Sequence, residues 1–214
     1  MINKDALRQS LKLYLVTDSH ILKERDFYDC IEKAILGGVT TVQLREKDAS
    51  GKEFLEKAIK LREITKRHNV NFIINDRVDI AILSDADGVH VGQSDIDTKY
   101  VRKLIGKDKI LGVSVSNSDE AYKAKEDGAD YIGVGAMFST STKVDAKIVS
   151  IDEAKLIKKV GLPMVLIGGV NLNTLDKLRE INSDGYAIVS AILNSDDIYK
   201  ESKIWINKLS KKIR

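Results

Sequence analysis

Cys30 is the one cysteine in 214 residues, so no intrachain disulfide can form and no cysteine cluster can hold a metal. That usage fits a reducing compartment. No apolar run approaches the roughly 20 residues needed to cross a bilayer, and Met1 to Ser10 lacks the apolar centre of a secretory signal. The expectation is a cytoplasmic protein with no membrane partner. An excess of one charge is also missing: 35 basic and 32 acidic residues leave a net +3, too small and too dispersed for binding nucleic acid or a membrane surface. Any preference for anions must be local. Proline occurs once, and no Pro/Gly/Ser-rich linker or low-complexity tract interrupts the chain. One domain over residues 1–214 is therefore expected, with residues 1–11 as a short N-terminal extension. The composition, 43% hydrophobic and 31% charged, is that of a globular chain able to bury a sizeable core.

What is present is alternation. Leu13–Thr17 is a nearly continuous apolar run, the pattern of a parallel strand covered on both faces. Phe27, Cys30, Ile31, Ala34 and Ile35 recur at helical spacing, which makes Cys30 a core residue rather than a nucleophile, and Gly37-Gly38 ends that helix. Thr41–Lys47 reads as the second strand. Its period of two turns Val42 and Leu44 one way and Gln43, Arg45 and Lys47 the other. Ser50 and Glu53 form a capping box ahead of the stripe Phe54, Ala58, Leu61 and Ile64. Further strands are read at Asn71–Asp76, Val89–Val91, Ile110–Val115, Tyr131–Ala136, Met164–Ile167 and Tyr186–Val189. Helices are expected from Ser118, from Ser150 with Glu153 as a second capping box, after Asn173 and from Ser195 to Asp197; the segment after Asp76 is the least helical in pattern. Trp205 falls at core spacing with Ile198 and Leu209. Eight strands alternating with about eight helices predict an α/β fold, a (β/α)8 TIM barrel. An open doubly wound sheet is the competitor, but no Gly-x-Gly-x-x-Gly follows the first strand. Asp87, Asp130 and Asp184 each precede a strand.

In a barrel, the working groups stand at the C-terminal ends of the strands. Those ends carry Gln43, Arg45 and Lys47, then Asn75 and Asp76, Gln93 and Asp95, Ser114, Gly168-Gly169 and Val189-Ser190. Asp76 and Asp95 are two hard oxygen ligands that suit Mg²⁺ shared with phosphate oxygens. Arg45, Lys47 and Lys143 can neutralise a diphosphate that the carboxylates alone would repel. The loop Met137–Val149 holds Ser139, Thr140, Ser141, Thr142 and Lys143, and its length suits a cover over an anionic substrate. Gly169 and the Val189-Ser190 backbone fall where barrels often bind a phosphate. Other roles stay open: Arg45 can pair with Glu46, Asp76 can cap the following helix, and Ser94-Asp95 can start one. His90, between Val89 and Val91, reads as a structural histidine, and His20 and His68 as exposed ones without nearby partners.

The ordered series Gln43-Leu44-Arg45-Glu46-Lys47, Asn75-Asp76, Gly88 through Asp95, Gly112-Val113-Ser114, Thr140-Ser141-Thr142-Lys143, Ile167-Gly168-Gly169 and Val189-Ser190-Ala191-Ile192 resembles thiamine phosphate synthase, from about Leu13 to the final helix. The resemblance implies a barrel transferase that joins hydroxymethylpyrimidine diphosphate to a thiazole phosphate, plain or carboxylated. It implies that Gln43, Leu44, Arg45, Glu46, Lys47, Asn75, Ser114 and Lys143 hold the pyrimidine diphosphate, with Arg45, Lys47, Ser114 and Lys143 the catalytic set. Thr140, Ser141, Thr142, Gly169, Val189 and Ser190 would hold the thiazole phosphate, and Asp76 and Asp95 the Mg²⁺ cofactor. Two positions depart from the family pattern: Ser116 stands where many members have histidine, and Ser94 where they have an acidic residue. The rival readings are a related thiazole tautomerase and a non-catalytic phosphate-binding barrel. A homo-oligomer is left open.

Overall fold

The computed structural model describes residues 2–139 and 147–211. Eight parallel strands close in sequence order: β1 Leu13–Val16, β2 Thr41–Leu44, β3 Asn71–Asn75, β4 Gly88–Val91, β5 Ile110–Val115, β6 Tyr131–Val134, β7 Met164–Leu166 and β8 Gly185–Ile188. β8 pairs with β1, Leu13 lying against Tyr186, so the sheet has no edge. Helix α1, Lys4–Ser10, precedes the barrel, and α2, Ser19–Leu22, and α3, Phe27–Leu36, join β1 to β2. The crossovers that follow are α4 Gly51–Arg67, α5 Val78–Leu83, α6 Thr98–Ile105, α7 Ser118–Glu126, α8 Ile151–Lys158 and α9 Leu175–Leu178 with a 3₁₀ turn at Arg179–Ile181. After β8 come α10, Ser190–Leu193, and α11, Ile198–Ser210. The (β/α)8 expectation holds.

Strand periodicity sorts the residues into two cores. Leu13, Leu15, Val42, Leu44, Val89, Val91, Leu111 and Val113 pack outward against the helices, where Cys30, Phe54 and Trp205 are also buried. The inner cluster is smaller, built from Tyr14, Val16, Ile73, Ile110, Tyr131, Val165 and Ala187. Leu7 and Leu11 join it, so helix α1 and the residue after it stop the N-terminal end of the barrel. Asn3 caps that helix, accepting from the amides of Asp5 and Ala6. Cavity arithmetic explains the stopper, since an apolar interior left open at one end would expose Ile73 and Ile110 to water.

The three aspartates that precede strands do one repeated job. Each accepts an amide near the start of the strand before it and pairs with a cation on the helix that leads into that earlier strand. Asp87 takes the Phe72 amide at 2.8 Å and Arg62, Asp130 takes the Leu111 amide at 2.8 Å and Arg102, and Asp184 takes the Met164 amide at 2.8 Å with Lys158 and Arg8. Thr40 stands at the equivalent point before β2, its Oγ1 accepting the Leu13 amide at 2.9 Å. These staples tie the helical shell to the base of the barrel. Asp130→Ala is expected to lower unfolding free energy by about 1–3 kcal/mol, because it strands the Leu111 amide and takes from Arg102 its one carboxylate partner among the described residues. Urea denaturation checks it, and turnover per folded molecule should not change because the staple lies at the end away from the strand C-termini.

Asp184 adds a pH dependence. Burial opposes its ionisation, but Lys158, Arg8 and the Met164 amide outweigh burial and hold the carboxyl below the ordinary aspartate range. A depressed acid stabilises the fold above its unfolded value, about 4, and that contribution disappears as pH falls through the folded value. Below about pH 4, wild-type stability should therefore fall more steeply than that of Asp184→Asn; parallel curves would contradict the pairing.

Several local expectations are corrected. β2 ends at Leu44 rather than Lys47, because Thr17 closes it: the Thr17 amide bonds the Gln43 carbonyl at 2.9 Å and its Oγ1 accepts the Arg45 amide at 3.1 Å. The Ser50–Glu53 capping box is present in both directions. At Ser150 only half forms, since the Glu153 carboxylate instead accepts the Ser118 amide at 2.7 Å, binding α8 to the start of α7. The cap of α7 is Asn117, and Asp197 caps α11. His68 is mostly buried and bonds Glu32 at 2.6 Å, a partner 36 residues away that spacing along the chain could not reveal. His20 is exposed and meets Asp48 at 3.1 Å.

Candidate active site

A cavity of ≈ 1180 Å³ opens at the C-terminal ends of the strands, larger than the roughly 300–1,000 Å³ that one small ligand commonly needs. Gln43, Arg45, Lys47, Asn75, Asp76, Asp95, Ser114, Gly169, Val189 and Ser190 all line it. Leu44 does not, being buried in the outer core. Glu46 does not either: its Oε1 accepts from Ser19 at 2.5 Å and Lys57 at 2.8 Å. Arg45 therefore does not pair with Glu46, and it meets no carboxylate among the described residues. Thr140, Ser141, Thr142 and Lys143 lie outside the described residues.

Asp76 and Asp95 converge from neighbouring strands. Asp76 sits just past β3 with φ of +62°, a left-handed conformation that aspartate tolerates better than most residues, and its amide bonds the His90 carbonyl at 2.8 Å. Its carboxylate meets Lys47 Nζ at 2.6 Å rather than capping α5, whose N-cap is Arg77 without a side-chain bond. Asp95 Oδ2 accepts the Gly92 amide at 2.7 Å. Burial and the adjacent Asp76 raise the Asp95 carboxyl above the ordinary aspartate value, against the opposing pull of the Gly92 amide and Lys47. Two facing carboxylates with one ammonium between them are short of positive charge. That shortage, in an all-oxygen donor set, fits a hard divalent cation such as Mg²⁺. Groups of three or more His, Cys, Asp or Glu that could cage a metal are absent among the described residues.

Across the mouth the described lining is largely glycine backbone and neutral side chains, with Lys147 also on the cavity. β3 and β7 stand four strands apart in the closed order, so Gly168 and Gly169 after β7 face the carboxylates over the opening. Gly169 has φ of +66°, and an added Cβ would sit 2.6 Å from Phe138 Cβ. Only glycine lets that backbone approach the cavity. Its carbonyl is held by Thr174 Oγ1 at 3.1 Å and Asn171 Nδ2 at 3.3 Å. Val189 and Ser190 follow β8 on the same side.

Three functional-looking side chains have little or no sequence signal. Tyr14, His90 and Tyr131 line the floor of the cavity and bond to each other, to Gln43 and to Ser114. Tyr14 and Tyr131 sit within apolar strand runs, where tyrosine reads as packing. Burial pushes both phenols up and lowers the His90 imidazole to about 4, Asp76 opposing the latter, so the group is neutral in ordinary buffer. At Ser116, one of the departures from the family pattern, amide and hydroxyl are both taken by Glu120, the amide at 2.7 Å.

Fold and mouth together define a (β/α)8 barrel enzyme that acts on small molecules, with its cavity at the C-terminal face. The sequence profile described as "Thiamine monophosphate synthase" matches residues 13–192. A "Thiamine-phosphate synthase" of Clostridioides difficile is 65% identical over 210 residues, covering 98% of this chain and 100% of that protein. One from Clostridium botulinum is 52% identical over 192 residues, covering 89% and 90%. The solved "Thiamine phosphate pyrophosphorylase" of Pyrococcus furiosus superposes with a TM-score of 0.86 at 32% identity, covering 96% of this chain and 100% of that one. The chain belongs to the thiamine monophosphate synthase family.

Proposed function

We propose that this chain is a transferase that joins hydroxymethylpyrimidine diphosphate to thiazole phosphate, or its carboxylated form, giving thiamine phosphate and diphosphate. The observation that carries the reading is the pairing in one cavity of a carboxylate–cation cluster, Asp76, Asp95, Lys47 and Arg45, with the glycine backbone after β7 across the opening. The first group suits a diphosphate with its metal and the second a phosphate ester. Family membership supplies the reaction.

In this reading Arg45 and Lys47 take diphosphate oxygens, joined by Lys143, while Gln43, Asn75 and Ser114 hold the pyrimidine. Gly169, Val189 and Ser190, with Thr140, Ser141 and Thr142, take the thiazole phosphate. Leu44 acts from behind the wall, and Glu46 through Lys57 and Ser19. Asp76 and Asp95 would hold Mg²⁺, which when bound supplies positive charge against the leaving diphosphate. The C–O bond to diphosphate breaks with its electron pair going to oxygen, and the aminopyrimidine spreads the positive charge left on its CH₂ carbon. The thiazole nitrogen lone pair then closes the new C–N bond. No side chain has to become a nucleophile, and the contribution of the chain is orientation and charge. Both substrates being small anions, neither a nucleic-acid nor a membrane partner is involved; no helix among the described residues is long and apolar enough to cross a membrane.

The test is thiamine phosphate formation by the purified protein from the two substrates, with Mg²⁺ and with chelator. Metal-dependent product is expected. A folded protein that binds thiazole phosphate but forms no product would move the reading to a tautomerase or a non-catalytic barrel, neither of which expels diphosphate.

A further inference from the structure

One unbroken run of hydrogen bonds crosses the barrel interior and connects two walls of the cavity. Gln43 Nε2 meets Tyr14 Oη at 2.8 Å, Tyr14 Oη meets Tyr131 Oη at 2.7 Å, Tyr131 Oη meets His90 Nδ1 at 2.9 Å, and His90 Nε2 meets Ser114 Oγ at 2.9 Å. Gln43, Tyr14, Tyr131 and His90 are all buried, and Ser114 ends the run at the cavity. Gly112 and Gly133 make room for it: a Cβ at Gly112 would overlap the Tyr131 ring and the His90 imidazole, and one at Gly133 would reach 3.1 Å from His90 Cε1.

Counting protons sets the direction. The Gln43 amide nitrogen can only donate, so Tyr14 accepts from it. The single Tyr14 proton has one acceptor in reach among the described residues, the Tyr131 oxygen. Tyr131 then gives its own proton to His90 Nδ1, and the imidazole proton sits on Nε2, pointing at Ser114. Ser114 Oγ accepts, and its proton is left facing the cavity. At the other end, the Gln43 carbonyl oxygen takes no donor among the described residues, while Gln43 lines the same cavity.

We propose that Tyr14, Tyr131 and His90 are positioning residues that fix the Ser114 hydroxyl as a donor on one wall and the Gln43 carbonyl as an acceptor on the other, so that the two walls read a ring nitrogen and an exocyclic amine of one heterocycle. The proposal rests on the reaction given above, whose diphosphate substrate is an aminopyrimidine, and adds the device that orients it. It also separates Ser114–His90 from a nucleophile and its base, which it resembles in distance alone. A base would need a bare Nε2 facing the hydroxyl.

The direct test is ¹⁵N NMR of the full chain labelled at its three histidines, with the His90 signals assigned by their loss in His90→Asn. A protonated Nε2 and a bare Nδ1 are expected. The opposite tautomer would mean that Gln43 presents its oxygen to Tyr14 and that Ser114 spends its proton on His90 Nε2, leaving only a lone pair toward the cavity, and it overturns the proposal. This readout needs no turnover, so it stands whether or not thiamine phosphate forms. In Tyr131→Phe the donor to Nδ1 is gone. The imidazole should then populate both tautomers, and KM for the pyrimidine diphosphate should rise about tenfold with KM for thiazole phosphate unchanged. A tautomer and both KM values identical to wild type would equally overturn it. If Tyr131→Phe does not fold, the wild-type tautomer decides alone.

Discussion

Asp76→Asn and Asp95→Asn are each expected to lower turnover by about 10²-fold or more, the scale seen when a group that stabilises developing charge is removed. Asparagine is the informative replacement at Asp76. The position has φ of +62°, which asparagine accepts and alanine does not, so the backbone stays while the charge goes. At Asp95 the sign of the stability effect can be worked out. Its carboxyl is raised in the folded protein by burial and by Asp76, so the ionised form is less favourable there than in the unfolded chain. Above the raised value that disfavour is fully present, and it vanishes when pH falls below the unfolded value. Asp95→Asn should therefore hold or raise the thermal midpoint near pH 7 while activity collapses. Normal turnover in both variants would remove them from the metal and diphosphate machinery, and loss of folding in both would make their role structural.

Gly112→Ala is the second large expectation. Gly112 lies beside His90 and Tyr131 in the register of β4, β5 and β6, pointing inward where its neighbours carry two ring side chains. An added methyl overlaps both rings. The wall is parallel sheet hydrogen-bonded on both sides, so the backbone cannot retreat and the rings must move. Overpacking of this kind costs about 1–3 kcal/mol, about 2–4 °C in thermal midpoint for each kcal/mol in a chain of this size. Activity should fall as well, because displaced rings release Ser114 from His90 and break the Tyr131 link to Tyr14 and so to Gln43. A fully active variant that melts with wild type would show that the rings have room the structure does not give them.

The two outcomes bear on what was readable along the chain. The barrel was legible because parallel strands covered on both faces, such as Leu13–Val16, leave continuous apolar runs, and amphipathic helices between them leave a different period. The charged part of the mouth was legible too, because Arg45, Lys47, Asp76 and Asp95 interrupt strand ends where an apolar or turn residue would satisfy the fold alone. The floor was not. Tyr14 and Tyr131 look like packing, and that their hydroxyls meet at 2.7 Å over a separation of 117 residues is set by the closure of the sheet. The same holds for His68 with Glu32 and for Glu153 at the start of α7, where a local cap was expected and a neighbouring helix won.

What the amino-acid order determined by itself was local: which segments become strands, which face of each is apolar, and which strand ends carry charge. Those follow from side-chain period and from the few conformations open to each residue. Tertiary structure alone decided which charges meet, as Lys47 does with Asp76, and which do not, as Glu46 turned away to Lys57. It also decided that helix α1 becomes a stopper and that five polar groups on five strands form one polarised run. The physical reason is that hydrogen bonds and ion pairs act over about 3 Å. Partners that close are fixed by closing the barrel, and separation along the chain carries no record of it.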